Sequence, residues 1–371
     1  MAGQPLRISI DERHAGLPGI GRFSTELASA LRRRSAGDEI VSLRRPRPSS
    51  GWLGGEAFTG HPGPTMTIAS PPIGPLEQME LALRLRQHRV QLHHSTHLSL
   101  PRLAGVPVVL TVHDLFPLTE PGHARSELAS AYYRVALPWA VRRADAVVAV
   151  SPFTAAQLKE VLGRSADAVI AHGVDHSAWE PAPDSGAGLA TGAPRRPYLL
   201  YVGTAKRHKN LGTLLAAHTG ARDRHGGRLP ELVLAGPTQA ELVAAGHRPG
   251  EGVRALGRVP DRDLPALYAG AGAVAVPSLY EGFGLAALEA MSLGVPVVAA
   301  DSPGLAETVG DAAVLVPATE PSAWADALAR ASGDPALRAT LIERGRQQAA
   351  RYRWDDAADS YLAVYREVLD R

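Results

Sequence analysis

The chain of 371 residues has no cysteine, which excludes disulfides and thiolate metal sites and fits a reducing compartment. It has no apolar run near the roughly 18 residues that a membrane-spanning helix needs. The opening, Met1-Ala-Gly-Gln-Pro-Leu-Arg-Ile-Ser-Ile10, has no apolar leader stretch behind a basic one and reads as a first strand, so a cytoplasmic location is expected. An excess of one charge is missing too. With 39 Lys plus Arg against 37 Asp plus Glu, the net charge of +2 is too small to imply a nucleic-acid partner. Basic residues cluster only locally, at Arg32, Arg33 and Arg34 and at Arg44, Arg45 and Arg47. Such clusters are solvated helix ends or loops, with peripheral contact at the inner face of a membrane as the lesser alternative. No grouping of histidines and carboxylates has metal-ligand spacing, so neither a metal nor a cofactor is expected.

Hydrophobic residues make up 45% of the chain and charged residues 20%, as in a soluble globular protein. The length exceeds the size at which one core keeps growing, so two domains are expected. Short β-branched runs alternate with longer stretches of helical period. Candidate strands cover residues 6–10, 40–43, 108–112, 146–150 and 168–170, then 198–202, 231–235, 253–256, 273–276, 295–299 and 313–316. Between the two series lies a passage rich in Pro, Gly, Ala and Ser, from Glu180 to Pro194, with almost no bulky apolar residue. It reads as a linker. The expected organisation is α/β: Rossmann-like domains over 1–180 and 198–350, a linker over 181–197, and a terminal helix over 351–371. That helix carries Trp354 and Tyr365 at helical spacing and is expected to dock on a core.

The most informative stretch runs from Pro277 to Ala300. Glu281 and Glu289 stand eight positions apart, with Gly282-Phe283-Gly284-Leu285 after the first and an apolar helical run leading to the second. At about 1.5 Å per helical residue this spacing is roughly 12 Å, about the reach from a sugar ring across a diphosphate to a ribose. Amides of residues 282–285 at an exposed helix start favour an anion. One carboxylate for sugar hydroxyls, amides for phosphate and one carboxylate for ribose describe a nucleotide-sugar site.

These residues resemble the Glu-x7-Glu motif of the retaining glycosyltransferases of family 4, which have the GT-B fold. The resemblance extends through Tyr198 to Thr204, Lys209-Asn210-Leu211, Leu256 to Pro260 and Gly304 to Asp311, and more weakly through Val112-His113-Asp114 and His172 to Asp175. It implies two parallel sheets facing across a cleft, an N-terminal domain for the acceptor, a C-terminal domain for a nucleotide-diphospho-sugar, and a last helix returning to the N-terminal domain. It also implies roles. Lys209 neutralises the leaving diphosphate, Glu281 reaches the donor sugar, Glu289 holds the ribose and His113 points toward the sugar. Gly203, Thr204 and Arg207 lie in a matched donor segment, and Arg258 and Val259 pack on the nucleobase. Gly19 and Gly21 belong to a glycine-rich loop against the diphosphate. The chain departs from the pattern at Thr204 and His208, where relatives carry arginine, and Arg207 or Arg258 is the candidate replacement cation.

Without the resemblance, His113 reads first as a structural histidine, Lys209 as the solvated opening of a helix, and the loop at Gly16 to Gly21 as a flexible turn. Asp261 and Asp263 resemble an Asp-x-Asp metal motif, but before Leu264 to Tyr268 they are expected to cap a helix. The local wording is most similar to that of bacterial α-mannosyltransferases using GDP-mannose. UDP-sugar and dTDP-sugar donors, a GT-B-like epimerase and a non-catalytic nucleotide-sugar-binding module remain alternatives. The acceptor is left open among glycan, lipid-linked and small-molecule hydroxyls.

Overall fold

The computed structural model describes residues 5–15, 19–35, 37–46, 63–70, 75–97, 100–101, 103–119, 127–174, 197–224 and 229–371. The chain divides into two compact units, residues 1–173 with 353–371, and residues 174–352. Of the expected linker, all but Pro197 lies outside the described residues.

The first unit runs β1 (Arg7–Asp11), α1 (Ile20–Arg34), β2 (Glu39–Arg44), β3 (Thr65–Thr67), α2 (Pro75–Gln87), β4 (Leu92–Ser95), β5 (Val108–Val112), α3 (Phe116–Thr119), α4 (Glu127–Arg143), β6 (Ala146–Ala149), α5 (Pro152–Leu162) and β7 (Ala168–Val169). Among the described residues its sheet has the order β3-β2-β1-β4-β5-β6-β7, with every pairing parallel. Alternate residues of each strand feed opposite faces, the period-2 rule of a pleated strand. Val109 and Val148 join Ile8, Ile10, Phe23 and Leu27 on one face. Leu110, Val112 and Val147 join Leu137, Val141 and Leu158 on the other. Both faces are covered, so these strands read as unbroken apolar runs. Local signals set the helix ends: the Ser151 hydroxyl accepts from the Thr154 amide at 3.1 Å, Pro152 opens α5, and Gly163 closes it at φ +65°.

Two strands were not among the expected ones, β3 and β4. The second reads Leu92-His-His-Ser95, and its polarity hides the fact that all of it is buried. Each buried histidine has one ring nitrogen bonded to a neighbouring strand: His93 Nδ1 pairs with Ser9 Oγ at 2.8 Å and His94 Nε2 with Thr111 Oγ1 at 2.8 Å.

The second unit runs β8 (Tyr198–Val202), a 3₁₀ turn (Arg207–Lys209), α6 (Leu211–Arg224), β9 (Leu232–Ala235), α7 (Gln239–Ala244), β10 (Val253–Gly257), α8 (Leu264–Ala269), β11 (Ala271–Val276), α9 (Leu285–Ser292), β12 (Val297–Ala300), α10 (Pro303–Val309), β13 (Val314–Val316), α11 (Pro321–Gly333) and α12 (Pro335–Ala349). Its described strands form a parallel sheet in the order β10-β9-β8-β11-β12-β13. Tyr198, Leu200, Val233, Val274 and Trp324 are among its fully buried side chains.

The last helix, α13 (Trp354–Asp370), belongs to the first unit and packs on α1. Trp354, Tyr361 and Tyr365 enter the core that contains Phe23. The two phenols are also anchored: Tyr361 pairs with Thr111 at 2.8 Å and Tyr365 with His94 Nδ1 at 2.7 Å. The basic cluster of α1 is consumed here. Arg33 meets Asp355 at 2.8 Å, Arg34 meets Asp359 at 2.6 Å, and Arg32 bonds Ser42 beside Glu12, which also holds Arg44 at 2.5 Å. Among the described residues, no helix is long and apolar enough to cross a membrane.

Candidate active site

In the second sheet, strand order reverses between β8 and β11, and ligands of open parallel sheets bind beyond the strand carboxyl ends at such a point. The two loops that leave this point carry the lysine and the first glutamate. Lys209 Nζ donates to Glu281 Oε1 at 2.5 Å, and Ser278 Oγ donates to the same oxygen at 2.7 Å. Both donors converge on one carboxylate oxygen, which leaves the other able to accept from an added hydroxyl. The lysine and glutamate side chains are 24% and 17% exposed, so a ligand can reach both.

Lys209 ends the 3₁₀ turn, and α6 opens only at Leu211, so the lysine does not open that helix as expected. Its anion within the chain is Glu281. Arg207, two positions earlier, is exposed. The Gly203 amide donates to Ala235 O at 3.0 Å at the end of β8. The next residue, Thr204, accepts the Tyr201 hydroxyl on its carbonyl at 2.7 Å, while its own buried hydroxyl lacks a hydrogen-bond partner. Burial and the nearby Glu281 raise the Tyr201 pKa, so this phenol stays a neutral donor.

Gly282, Phe283 and Gly284 are buried, which narrows the expected row of exposed amides to the first turn of α9, at Leu285 and Ala286. These amides have no acceptor within the helix by its geometry. Gly284 caps α9 at φ +99°, a backbone conformation that favours glycine, and a Cβ there would lie 2.6 Å from Leu305 Cδ1, so that side chain would have to shift. Thr308 Oγ1 donates to the Phe283 carbonyl, and the Phe283 ring meets Tyr352 edge-on at 5.5 Å. Only residues 285–289 of the Glu-x7-Glu segment are helical, so the along-helix distance of the sequence argument does not apply. Glu289 is 3% exposed and accepts at Oε2 from the hydroxyl of the fully buried Tyr268 at 2.8 Å.

Beyond β10, Arg258 is exposed and Val259 buried. Asp261 and Asp263 form a second 3₁₀ turn before α8, but the Asp263 carboxylate makes no capping bond to the helix, against expectation. Pro265 in the first turn already removes one amide donor. Among the described residues no group of three or more His, Asp or Glu is placed to hold a metal ion.

In the first unit, order reverses between β1 and β4. Gly19 caps α1, and a Cβ on Gly21 would lie 2.5 Å from the His14 carbonyl, so the loop backbone runs tight against the helix start. Gly16 lies outside the described residues. His113 follows β5, and its Nε2 donates to the Thr96 carbonyl at 3.0 Å. A carbonyl can only accept, which puts the ring proton on Nε2. The ring stands edge-on to Phe23 at 4.7 Å and 5.3 Å from His172. Burial pushes the His113 pKa down to about 4, so it is neutral at pH 7. The neighbouring Asp114 carboxylate accepts from the Phe116 amide at 3.1 Å.

Sequence reasoning passed over several residues of both edges. Arg13 is locked by Asp11 at 2.6 Å and by Glu77, all with side chains at most 2% exposed. Tyr268, Ser278 and the carboxamide of Asn210 were given no role. Ser278 was the one with a visible signal, a serine three positions before a glutamate.

The model described as glycosyltransferase family 4 matches residues 18–178, and the model described as glycosyl transferases group 1 matches residues 191–348. A D-inositol 3-phosphate glycosyltransferase of Saccharomonospora viridis is 34% identical over 282 residues, 71% of this chain and 65% of that protein. The chain thus spans just under two thirds of that relative's length. O-antigen chain mannosyltransferase B of Escherichia coli is 30% identical over 296 residues, 77% of this chain and 76% of that protein. Among solved structures, HepE of Anabaena in complex with UDP-glucose superposes with a TM-score of 0.76 at 19% identity, covering 97% of this chain and 100% of that one.

Proposed function

The chain belongs to glycosyltransferase family 4, and on that premise we propose that it is a retaining transferase moving a hexose from a nucleotide-diphospho-sugar to an acceptor hydroxyl. The observation that carries the proposal is the Lys209–Glu281 pair at the strand-order reversal of the second sheet, beside the N-terminal turn of α9. As the C1–O bond of the donor breaks, negative charge grows on the departing diphosphate. In this reading the Lys209 ammonium and the first-turn amides of α9 stabilise it, the kind of preorganised electrostatic term that dominates such steps. The unpaired Thr204 hydroxyl is a further donor for a phosphate oxygen.

Glu281 keeps the lysine oriented and takes a sugar hydroxyl on its open oxygen. Glu289 takes the ribose. The exposed Arg207 and Arg258 are the candidate replacements for the arginine that Thr204 and His208 lack. His113, neutral and held by Thr96, is assigned to the sugar side, as the family resemblance suggests. Neither glutamate is assigned as a nucleophile or an inverting base. The departing phosphate oxygen itself then deprotonates the acceptor, which attacks from the same face and keeps the α configuration. Positive charge from protein groups supports a reaction without divalent metal.

Mannose from GDP-mannose is the proposed donor, a choice that the mannosyltransferase relative supports. The D-inositol 3-phosphate glycosyltransferase relative favours a second reading of the acceptor, a phosphorylated cyclitol in place of a glycan. Calorimetric titration with GDP, UDP, dTDP and ADP and their sugars tests the proposal. One nucleotide should bind, and at about 100 times its dissociation constant should add roughly 2.7 kcal/mol of stability. Failure of all four to bind would refute it.

A further inference from the structure

Three consecutive residues of the 3₁₀ turn that follows β8, and of its cap, each reach the loop that carries Glu281. The His208 carbonyl accepts from the Leu279 amide at 2.8 Å, Lys209 meets Glu281 at 2.5 Å, and Asn210 Nδ2 donates to the Pro277 carbonyl at 3.1 Å. The second amide proton of Asn210 goes to the Ala318 carbonyl at 2.6 Å, just beyond β13. Its Oδ1 accepts from the Thr213 hydroxyl at 2.8 Å, at the start of α6. The two carbonyls can only accept and the hydroxyl can donate, so the surroundings fix which way the carboxamide points.

Asn210 also sits at φ +53°, a left-handed conformation that asparagine tolerates better than most residues with a Cβ. That backbone turn ends the 3₁₀ segment immediately after Lys209. A lysine side chain has a long flexible stem, and its reach is defined only if its Cα is held.

We propose, resting on the roles given above to Lys209 and Glu281, that Asn210 is a positioning residue: it ties the lysine turn to the Glu281 loop and to the end of β13, and so holds the ammonium where the diphosphate departs. It acts through Lys209 and touches neither donor nor acceptor. A misplacement of about 1 Å in a catalytic group can cost on the order of 100-fold in rate.

The test is a double-mutant cycle on the full chain, read as release of nucleoside diphosphate from GDP-mannose and from UDP-glucose. Asn210→Gly keeps the left-handed backbone and deletes the three side-chain bonds. It should lower kcat by about 10-fold to 100-fold, with donor KM changed by no more than about threefold. In a Lys209→Met background the same change should cost no more than about twofold, because the group it positions is gone. Thr213→Val, which removes only the hydroxyl that orients Oδ1, should show a smaller loss with the same pattern, and it completes the cycle if Asn210→Gly does not fold. Losses that multiply in the double variant, or a lower thermal midpoint with unchanged kcat per folded molecule, would overturn the inference alone. A Lys209→Met chain as fast as the parent would overturn the proposed function and this inference together.

Discussion

Tyr268→Phe removes a single oxygen from a fully buried ring and takes one donor from a glutamate that is 3% exposed. Hydrogen bonds to charged groups contribute about 1.5–3 kcal/mol, and where water cannot replace the donor the upper half of that range applies. The chain should therefore lose about 2–3 kcal/mol, against a typical total of 5–15 kcal/mol, and still fold. If Glu289 holds a ribose, the phenol also aims its carboxylate, and nucleotide affinity should fall by on the order of 10-fold, about 1.4 kcal/mol. A ribose contact is alike in ground and transition states, so donor KM should rise while kcat stays nearly constant. Urea unfolding gives the first quantity, and calorimetric titration with the nucleotide that binds the parent gives the second. Glu289→Gln is the comparator and should weaken binding at least as much. Loss of stability with nucleotide affinity unchanged in both variants would show that the pair is only a buried polar contact, and the ribose assignment would fail.

Glu281→Gln keeps the shape beside Lys209 but removes the charge; it should lower turnover by at least about 10-fold and leave nucleotide affinity within about threefold, measured by steady-state kinetics and titration. An α-linked donor should give an α-linked product, and a coupling constant showing a β linkage would contradict the front-face route. Acid should destabilise the first unit. Burial holds His93 and His113 down at about 4 and His94 and His97 at about 3, below the ordinary 6.5. The unfolded chain binds protons that these sites refuse, so the stabilisation is complete above pH 6.5 and is lost as pH falls toward 4. Each site contributes up to about 1.4 kcal/mol per pH unit, and calorimetry showing a flat stability between pH 7 and 5 would contradict it.

The parallel sheets were legible because their strands are apolar on both faces, as at Val108–Val112 and Tyr198–Val202, where expectation and structure coincide. β4 was not, because Leu92-His-His-Ser95 buries imidazoles whose partners, Ser9 and Thr111, come from other strands and leave no periodic signal. In the site, Lys209 and Glu281 stood out by motif. That they pair with each other depends on strand order, which brings residues 72 positions apart together across β8 and β11. Ser278 is recorded only as a serine three positions before Glu281, and Asn210 and Tyr268 act through distances that no spacing in the sequence records. The capping role expected of Asp263 failed because local propensity was outweighed by a 3₁₀ turn and Pro265.

The most direct measurement is phosphorus NMR of the chain incubated with GDP-mannose and an alcohol or glycan acceptor, in EDTA. Free GDP should appear in step with a new glycoside and continue undiminished with the chelator. Conversion of the donor to an epimer still joined to its nucleotide, release abolished by EDTA and restored by magnesium or manganese, or no cleavage with GDP-mannose or any UDP, dTDP or ADP sugar would contradict a metal-independent sugar transfer centred on Lys209 and Glu281.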